Sequence, residues 1–420
     1  MSDLKDHKIS DKPESLAPNK DHRQIGQEQE LFINDEEVGL GIPLWLPKGA
    51  TIRRILERYM TDLEISEGYQ HVISAEIAKL NLYKKSGHWK HYKDGMFPPM
   101  ERDKEEYELR PMNCPHHIQI FKFRPRSYRE LPLRIAEFGT IYRWENSGEL
   151  SGLMRVRGMT LNDAHIFCSM EQLKGEFIKA VRLVEKVYKD LNIKDFWFRL
   201  SLHDPKDKEK YGDKPELWAA SENAIREALK EAKVDYKEVV GDAAFYGPKL
   251  DVQIPNALGK DETVSTVQID FYLPENFDLD YIGEDGQKHP IVMIHRGIIS
   301  TLERMVAFLA EQNQGSWPVW LAPVQVQIIP IADHHLKYAQ NVLEQLKGSN
   351  IRVEIDGRAE KMQAKIRDAQ IQKIPYMLIV GNKEETEKKV AVRTREEKDM
   401  GAIDLKEFLD KILVEINERK

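Results

Sequence analysis

The sequence predicts an α+β domain on a mostly antiparallel sheet, followed by a small α/β domain. Three observations lead there. A chain of 420 residues with 41% hydrophobic content is long enough for two, possibly three, buried cores. From Leu31 to about Gly315, runs of strand pattern alternate irregularly with helical stretches lying to the side, which suits an antiparallel sheet. Beyond SWPVWLAP (316–323), a regular strand–helix rhythm sets in, the mark of a small α/β unit. The expected division is a disordered polar tail over 1–27, a large domain over 28–317 and a small one over 318–420.

The elements follow in order. Residues 1–27 are polar, charged and aperiodic. In 50–70, Ile52, Ile55, Leu56, Tyr59 and Met60 fall on one helical face. Two apolar, β-rich runs, Arg134–Trp144 and Met154–Cys168, flank a Gly/Ser/Asn cluster and read as an antiparallel pair joined by a long loop. Stretches 172–193 and 214–233 are helical. Strand patterns occupy Phe196–His203, Tyr236–Val240, Leu250–Ile254, Thr263–Tyr272 and Ile291–His295. HRGIISTLERMVAFLAEQ (295–312) reads as a helix buried through Ile298, Leu302, Met305 and Leu309. Proline-containing SWPVWLAP reads as a linker. In the second domain VQVQIIPI, NIRVEID, PYMLIVG and KKVAVRT are strands, and HHLKYAQNVLEQLK, AEKMQAKIRDAQI and IDLKEFLDKILVEINE are helices.

Composition excludes several classes. No apolar run approaches the ~20 residues of a membrane span, and the first residues carry no hydrophobic segment of a secretory signal. Two cysteines cannot make a disulfide framework, so a cytoplasmic chain is expected. The net charge of −7 gives no global basic field, and any RNA contact must use local patches.

The chemistry concentrates near the long loop. Arg143, Glu145, Arg155 and Arg157 cluster there, and arginine forks suit phosphate and carboxylate oxygens, although most arginines serve solubility. Cys114 (RPMNCPHH) precedes Pro115, which suits a helix start; a lone cysteine is also a common small core residue. His116 and His117 read as surface residues. His165 and Cys168 form H-x-x-C, but strand alternation puts Asp163 and His165 on one face and Cys168 on the other. Cys114, His165 and His295 (MIHRG) would be three ligands, a set that leaves a coordination position open. Arg304 borders an apolar stripe and could instead be a snorkelling side chain. FYGPKLD (245–251) brings Tyr246, Lys249 and Asp251 to a turn before a strand. His334 and His335 look solvated. Phosphate-binding arginines with a dispersed Cys/His/His set suggest a zinc-dependent, nucleotide-using enzyme.

The chain resembles the class II aminoacyl-tRNA synthetases, in particular their threonyl family, from about Asp21 to the C-terminus. The resemblance rests on DHRQIGQEQELF, LWLPKGATIRRILERYM, SGHWKHYKDGMF, RPMNCPHH, EFGTIYRWENSGELSGLMRVRG, NDAHIFC, FYGPKLD, TVQIDF, IHRGIISTLERM and WLAPVQVQIIPIAD. The arginine motifs are shared with prolyl and seryl relatives; the joint presence of CPHH, DAHIFC and MIHRG is similar to the threonyl branch.

The resemblance implies ATP-dependent activation of L-threonine and its transfer to threonine tRNA. It implies one Zn2+ per subunit on Cys114, His165 and His295, and Mg2+ with ATP. Arg143 would hold the α-phosphate and the amino-acid carboxylate, Glu145 would face the adenine amino group, and Arg155 would reach the distal phosphates. Arg304 would stack on adenine and neutralise phosphate, with Lys249 near the phosphates. Asp163, Tyr246, Met112 and Gln268 would line the threonine pocket. The C-terminal domain would read the anticodon, with Arg358, Glu360, Lys361, Lys365 and Arg367 as candidates, since unpaired bases suit side-chain recognition. The first-motif region, 50–70 with GYQHVISAEI, would make a homodimer. Because the resemblance begins near the start of the chain, the family's N-terminal editing region is expected to be absent and its work left to a separate factor. The chain departs from the family pattern at Ala75, Met159, Leu161 and in GIIST. Rival readings are a paralogue that loads a non-tRNA acceptor and a non-catalytic RNA-binding regulator.

Overall fold

The computed structural model describes residues 20–255 and 259–420. Eight strands form the central sheet: β1 (Gln70–His71), β2 (Leu133–Tyr142), β3 (Gly158–Cys168), β4 (Trp197–Leu202), β5 (Tyr236–Val240), β6 (Lys249–Pro255), β7 (Asp261–Asp270) and β8 (Val292–Thr301). Their order is β5-β4-β6-β7-β8-β3-β2-β1. The two outermost pairs are parallel and every inner pair is antiparallel. Antiparallel neighbours need no crossover helix, which is why the longest pair, β2 and β3, is joined by the irregular arginine-bearing loop alone.

One face of this sheet is covered by helices. Met170–Asp190 starts at a capping box of Ser169 and Gln172 and buries Leu173, Phe177, Ala180, Val184 and Val187 at helical spacing. Each such large apolar side chain contributes about 1.5–3 kcal/mol. Pro215–Ala232 and Leu302–Gln312 add Ile225, Leu229, Met305 and Leu309 to the same core. The opposite face carries the polar side chains described below, beside an apolar part where Ile135, Phe167 and Met293 pack with Ile118 and Phe121.

Residues 295–312 divide differently from the single helix expected. Strand β8 continues through Thr301, and the helix begins at Leu302, with the Thr301 hydroxyl accepting from Arg304 N at 3.1 Å. Ile298 therefore belongs to the sheet. β-Branched Ile298 and Ile299 fit a pleated strand as well as a helical stripe, and tertiary pairing decided between them.

The tail reading over 1–27 also needs correction. Residues 1–19 lie outside the described residues, but His22–Glu28 is a helix capped by the Asp21 carboxylate. Ile25 is buried, and His22 Nδ1 lies 2.7 Å from Glu311 Oε1. Segment 316–323 is a packed joint: Trp317, Trp320, Leu321 and Ala322 join the first core. Two indoles offer large apolar area that the neighbouring helices cover. Arg395 Nη1 (2.6 Å) donates to the Trp317 carbonyl, and Arg352 donates to those of Ala322 (Nε, 2.8 Å) and Trp320 (Nη2, 2.8 Å).

The second unit is a five-stranded sheet of β9 (Val326–Pro330), β10 (Val353–Ile355), β11 (Tyr376–Val380), β12 (Lys389–Thr394) and β13 (Asp399–Asp404), in the order β10-β9-β11-β12-β13. β9, β10 and β11 are parallel, and the last two strands antiparallel. Short helix Asn382–Glu387 and strand β13 have no clear apolar period and escaped the sequence reading. His335 is not solvated: it is buried, with Nδ1 3.0 Å from Glu385 Oε2. Among the described residues no helix is long and apolar enough to cross a membrane.

Candidate active site

Strand register builds the site. Lys249, Gln268, His295 and His165 face one another across β6, β7, β8 and β3 as successive cross-strand partners. Neighbouring strands lie ~4.8 Å apart, so such a row puts four side chains side by side on one face. Two residues along runs a second row: Thr266, Gly297, Asp163 and Glu137. Gly297, at its centre, leaves the space between Thr266 and Asp163 open.

Cys114 joins from above, as the first residue of helix Cys114–Lys122, with Pro115 next. The sulfur and one ring nitrogen each of His165 and His295 all lie within 4.8 Å of one another. All three residues are buried. Among the described residues this is the one group of three such donors. Cys168 packs instead among apolar side chains of the first core.

The hydrogen bonds around the two rings fix where their lone pairs point. His295 Nε2 is 2.7 Å from Asp270 Oδ2, an acceptor, so Nε2 carries the proton. His165 Nδ1 is 2.8 Å from His117 Nδ1. His117 Nε2 is in turn 3.1 Å from Glu137 Oε2 and must donate to it. In a neutral His117 the Nδ1 then accepts, and His165 carries its proton on Nδ1. Burial and the neighbouring His295 and His117 hold His165 well below the ordinary imidazole range, hence neutral. Two lone pairs, His165 Nε2 and His295 Nδ1, thus face each other at 3.0 Å. That contact is repulsive unless a cation sits between them. Burial, with Asp163 and Asp270, pushes the Cys114 thiol up; a divalent cation reverses that and favours the thiolate. Sulfur with two imidazoles fits zinc.

Around this centre lie the other candidates. Asp163 accepts from Asn113 Nδ2 at 3.1 Å, and burial raises its carboxyl. Tyr246 stacks on the His295 ring with centroids 4.9 Å apart, and its hydroxyl donates to Gln268 Oε1 at 2.7 Å. The turn before β6 requires Gly247, because a Cβ there would sit 1.8 Å from the Ile269 carbonyl oxygen. Lys249 Nζ rests 2.7 Å from buried Asp251. Met112 meets Arg143, whose Nη2 lies 3.1 Å from its sulfur.

The arginines converge. Burial and the positive charges of Arg143 and Arg155 hold Arg304 below its ordinary value, with Glu262 and Glu145 acting the other way. Arg304 donates to the Met154 and Thr263 carbonyls, each at 3.2 Å, and Arg155 Nε to Glu145 Oε2 at 2.8 Å. Cations gathered in this way suit a polyanion. Arg157 lies over the Trp144 ring at 4.0 Å.

The C-terminal candidates do not form one set. Arg358, Glu360, Lys361 and Arg367 are exposed, and Arg358 pairs with Asp356 and Asp368 at 2.6 and 2.8 Å. Lys365 is buried, its ammonium 3.3 Å from the Pro330 carbonyl.

Sequence reasoning missed two histidines. His117, read as a surface residue, is fully buried against His165. A spacing of three from Cys114 on one helix face could have revealed it. His88 is buried too, with Nε2 3.6 Å from Cys114 Sγ and Nδ1 2.8 Å from Ser86 Oγ. Burial, with the charges of His295 and Arg143, pushes it down to about 3.

Residues 97–313 match the tRNA synthetase class II core domain (G, H, P, S and T), and residues 325–415 match an anticodon binding domain. A threonine–tRNA ligase of Geobacillus kaustophilus is 57% identical over 405 residues, covering 96% of this chain and 62% of the relative. Threonine–tRNA ligase 1 of Bacillus subtilis is 57% identical over 400 residues, covering 95% and 62%. The chain thus spans about 62% of the length of these relatives. A solved structure described as the RNA binding domain of threonyl-tRNA synthetase from Cryptosporidium parvum superposes with a TM-score of 0.89 at 36% identity, covering 94% of this chain and 98% of that one. A putative threonyl-tRNA synthetase from Aeropyrum pernix gives 0.82 at 27%, covering 95% and 97%. With a class II core over half its length and a matching threonyl structure over nearly all of it, the chain belongs to the class II aminoacyl-tRNA synthetases, in the threonyl-tRNA synthetase family.

Proposed function

We propose that this chain activates L-threonine with ATP and transfers it to threonine tRNA. The observation that carries the reading is the buried Cys114, His165 and His295 set, whose imidazole lone pairs converge beside Asp163, Tyr246 and Gln268. These three residues would hold one zinc ion, which when bound supplies Lewis-acid positions for an amino group and a nearby hydroxyl. Threonine has both; valine offers a methyl group where the hydroxyl is needed.

The chain's own residues do the rest. Asp163, kept in place by Asn113, accepts from the threonine hydroxyl. Tyr246 and Gln268 face the amino group, and Met112 closes the pocket beside Arg143. Arg143 orients the carboxylate toward the α-phosphate of ATP, which enters with Mg2+. Arg143, Arg304 and Lys249 lower the cost of charge developing on the phosphate oxygens, while Arg155 takes the distal phosphates and Glu145 the adenine edge. Attack of the carboxylate forms the adenylate and releases pyrophosphate, and a terminal ribose hydroxyl of the tRNA then displaces AMP.

The second domain would read the anticodon through exposed Arg358, Glu360, Lys361 and Arg367. Ile65, Ile73 and Ile77 are exposed along the first-motif helix and the segment after it, where a second copy would dock. ATP–pyrophosphate exchange with each amino acid, followed by charging of purified tRNAs, tests the reading. Threonine should dominate both steps, and exchange without tRNA charging would favour another acceptor.

A further inference from the structure

Behind His165 runs a line of buried polar groups that the proposed chemistry does not use. Glu137 is buried and takes four donors besides His117. Ser74 N is 2.8 Å from Oε1, Ser74 Oγ is 2.7 Å from Oε2, and both Nη atoms of buried Arg110 lie 3.4 Å from Oε1. A carboxylate so surrounded can only accept. His117 Nε2 therefore donates to it, and the lone pair left on Nδ1 of the neutral ring faces His165 Nδ1 at 2.8 Å.

We propose that His117 and Glu137 are positioning residues that commit His165 to the tautomer offering Nε2 to a divalent metal. The inference rests on the zinc reading above. Without the carboxylate, His117 could reverse its tautomer and donate into His165 Nδ1. The His165 proton would then move to Nε2, the atom facing His295, and block ligation. His295 has its own orienting carboxylate in Asp270; His165 reaches Glu137 only through His117. Ligand tautomers held by such outer partners strengthen metal binding, and losing a partner typically costs 10- to 100-fold in affinity. Helix Cys114–Lys122 thus would hold the metal twice, through the Cys114 sulfur and, one turn later, through His117.

The test is competition for Zn2+ between the full chain and a chelator, with folding checked by circular dichroism on the metal-free proteins. His117→Phe, which fills the space but cannot accept, should bind Zn2+ 10- to 100-fold more weakly. His117→Asn, whose amide oxygen can still accept from His165 Nδ1, should recover most of that loss. A folded His117→Phe with parental affinity, or a His117→Asn no better than His117→Phe, overturns the proposal. Should His117→Phe not fold, long-range 1H–15N spectra of the metal-free parent decide. They should show His165 protonated at Nδ1, and protonation at Nε2 overturns the relay. A parent chain that takes up no zinc at all refutes the metal reading instead.

Discussion

Replacing Arg304 with alanine separates a catalytic arginine from a structural one. Its guanidinium is half-buried, donates to two backbone carbonyls at 3.2 Å, and sits where burial and Arg143 make its charge costly. A group held in its charged form against that penalty is poised for an anion. The structural loss is small, because two neutral hydrogen bonds contribute about 0.5–1.5 kcal/mol each and water can replace the donor in an open site. The loss in the transition state is larger. By analogy with removing one preorganised donor, it should be about 2.7–4 kcal/mol, or about 100- to 1000-fold in adenylate formation. The assay is ATP–pyrophosphate exchange at saturating threonine, alongside zinc content and the thermal midpoint. Exchange should fall by that factor with zinc retained and the midpoint within a few degrees of the parent. Exchange within about threefold of the parent would refute the assignment, and loss of zinc would show that the arginine supports the metal centre.

Other outcomes follow from the same geometry. Cys114→Ser should lose zinc and threonine activation while staying folded, whereas Cys168→Ser, buried among apolar neighbours, should keep its zinc; metal analysis of the two distinguishes them. Serine retains both groups the metal centre selects and lacks only a methyl, worth about 1–3 kcal/mol, so serine-dependent exchange should be measurable and valine-dependent exchange negligible. Glu64 accepts from Arg296 Nη1 at 2.6 Å, both side chains fully buried. Glu64→Ala should therefore cost about 3–5 kcal/mol in denaturant unfolding, the penalty of an uncompensated buried guanidinium. Glu108 is buried, neither of its oxygens has a hydrogen-bond partner among the described residues, and burial pushes its carboxyl up to about 7. The folded state then holds a proton that the unfolded state releases near 4.5. This contribution is fully present below pH 4.5 and is lost as pH rises through about 7. Glu108→Gln should accordingly unfold like the parent at pH 4.5 but resist unfolding better at pH 8, and an equal difference at both values would contradict this.

Much of this was readable in the sequence, and what was not has physical causes. Strand alternation in NDAHIFC separates His165 from Cys168 without any structure, because period two leaves no freedom. The meeting of His165 with His295 depends on register between strands 130 residues apart, and no local pattern encodes register. His117 looked like a surface residue because histidine is amphipathic and its burial depends on partners, Glu137 and His165, that lie elsewhere in the chain. The stretch after His295 misled for a different reason: its aliphatic residues satisfy helical and strand periods alike, and the true boundary is a single capping threonine. Trp317 and Trp320 flank Pro318 in a segment that reads as a linker, yet their aromatic area is too large to leave exposed.

The proposed activity turns on Cys114, His165 and His295 holding one zinc with room on it for threonine. X-ray absorption at the zinc edge of the loaded chain, recorded with and without threonine, tests it most directly. One sulfur scatterer at about 2.3 Å and two imidazole nitrogens at about 2.0–2.1 Å are expected, with a light-atom shell that changes when threonine, but not valine, is added. A zinc without sulfur, or a spectrum indifferent to threonine, would contradict it.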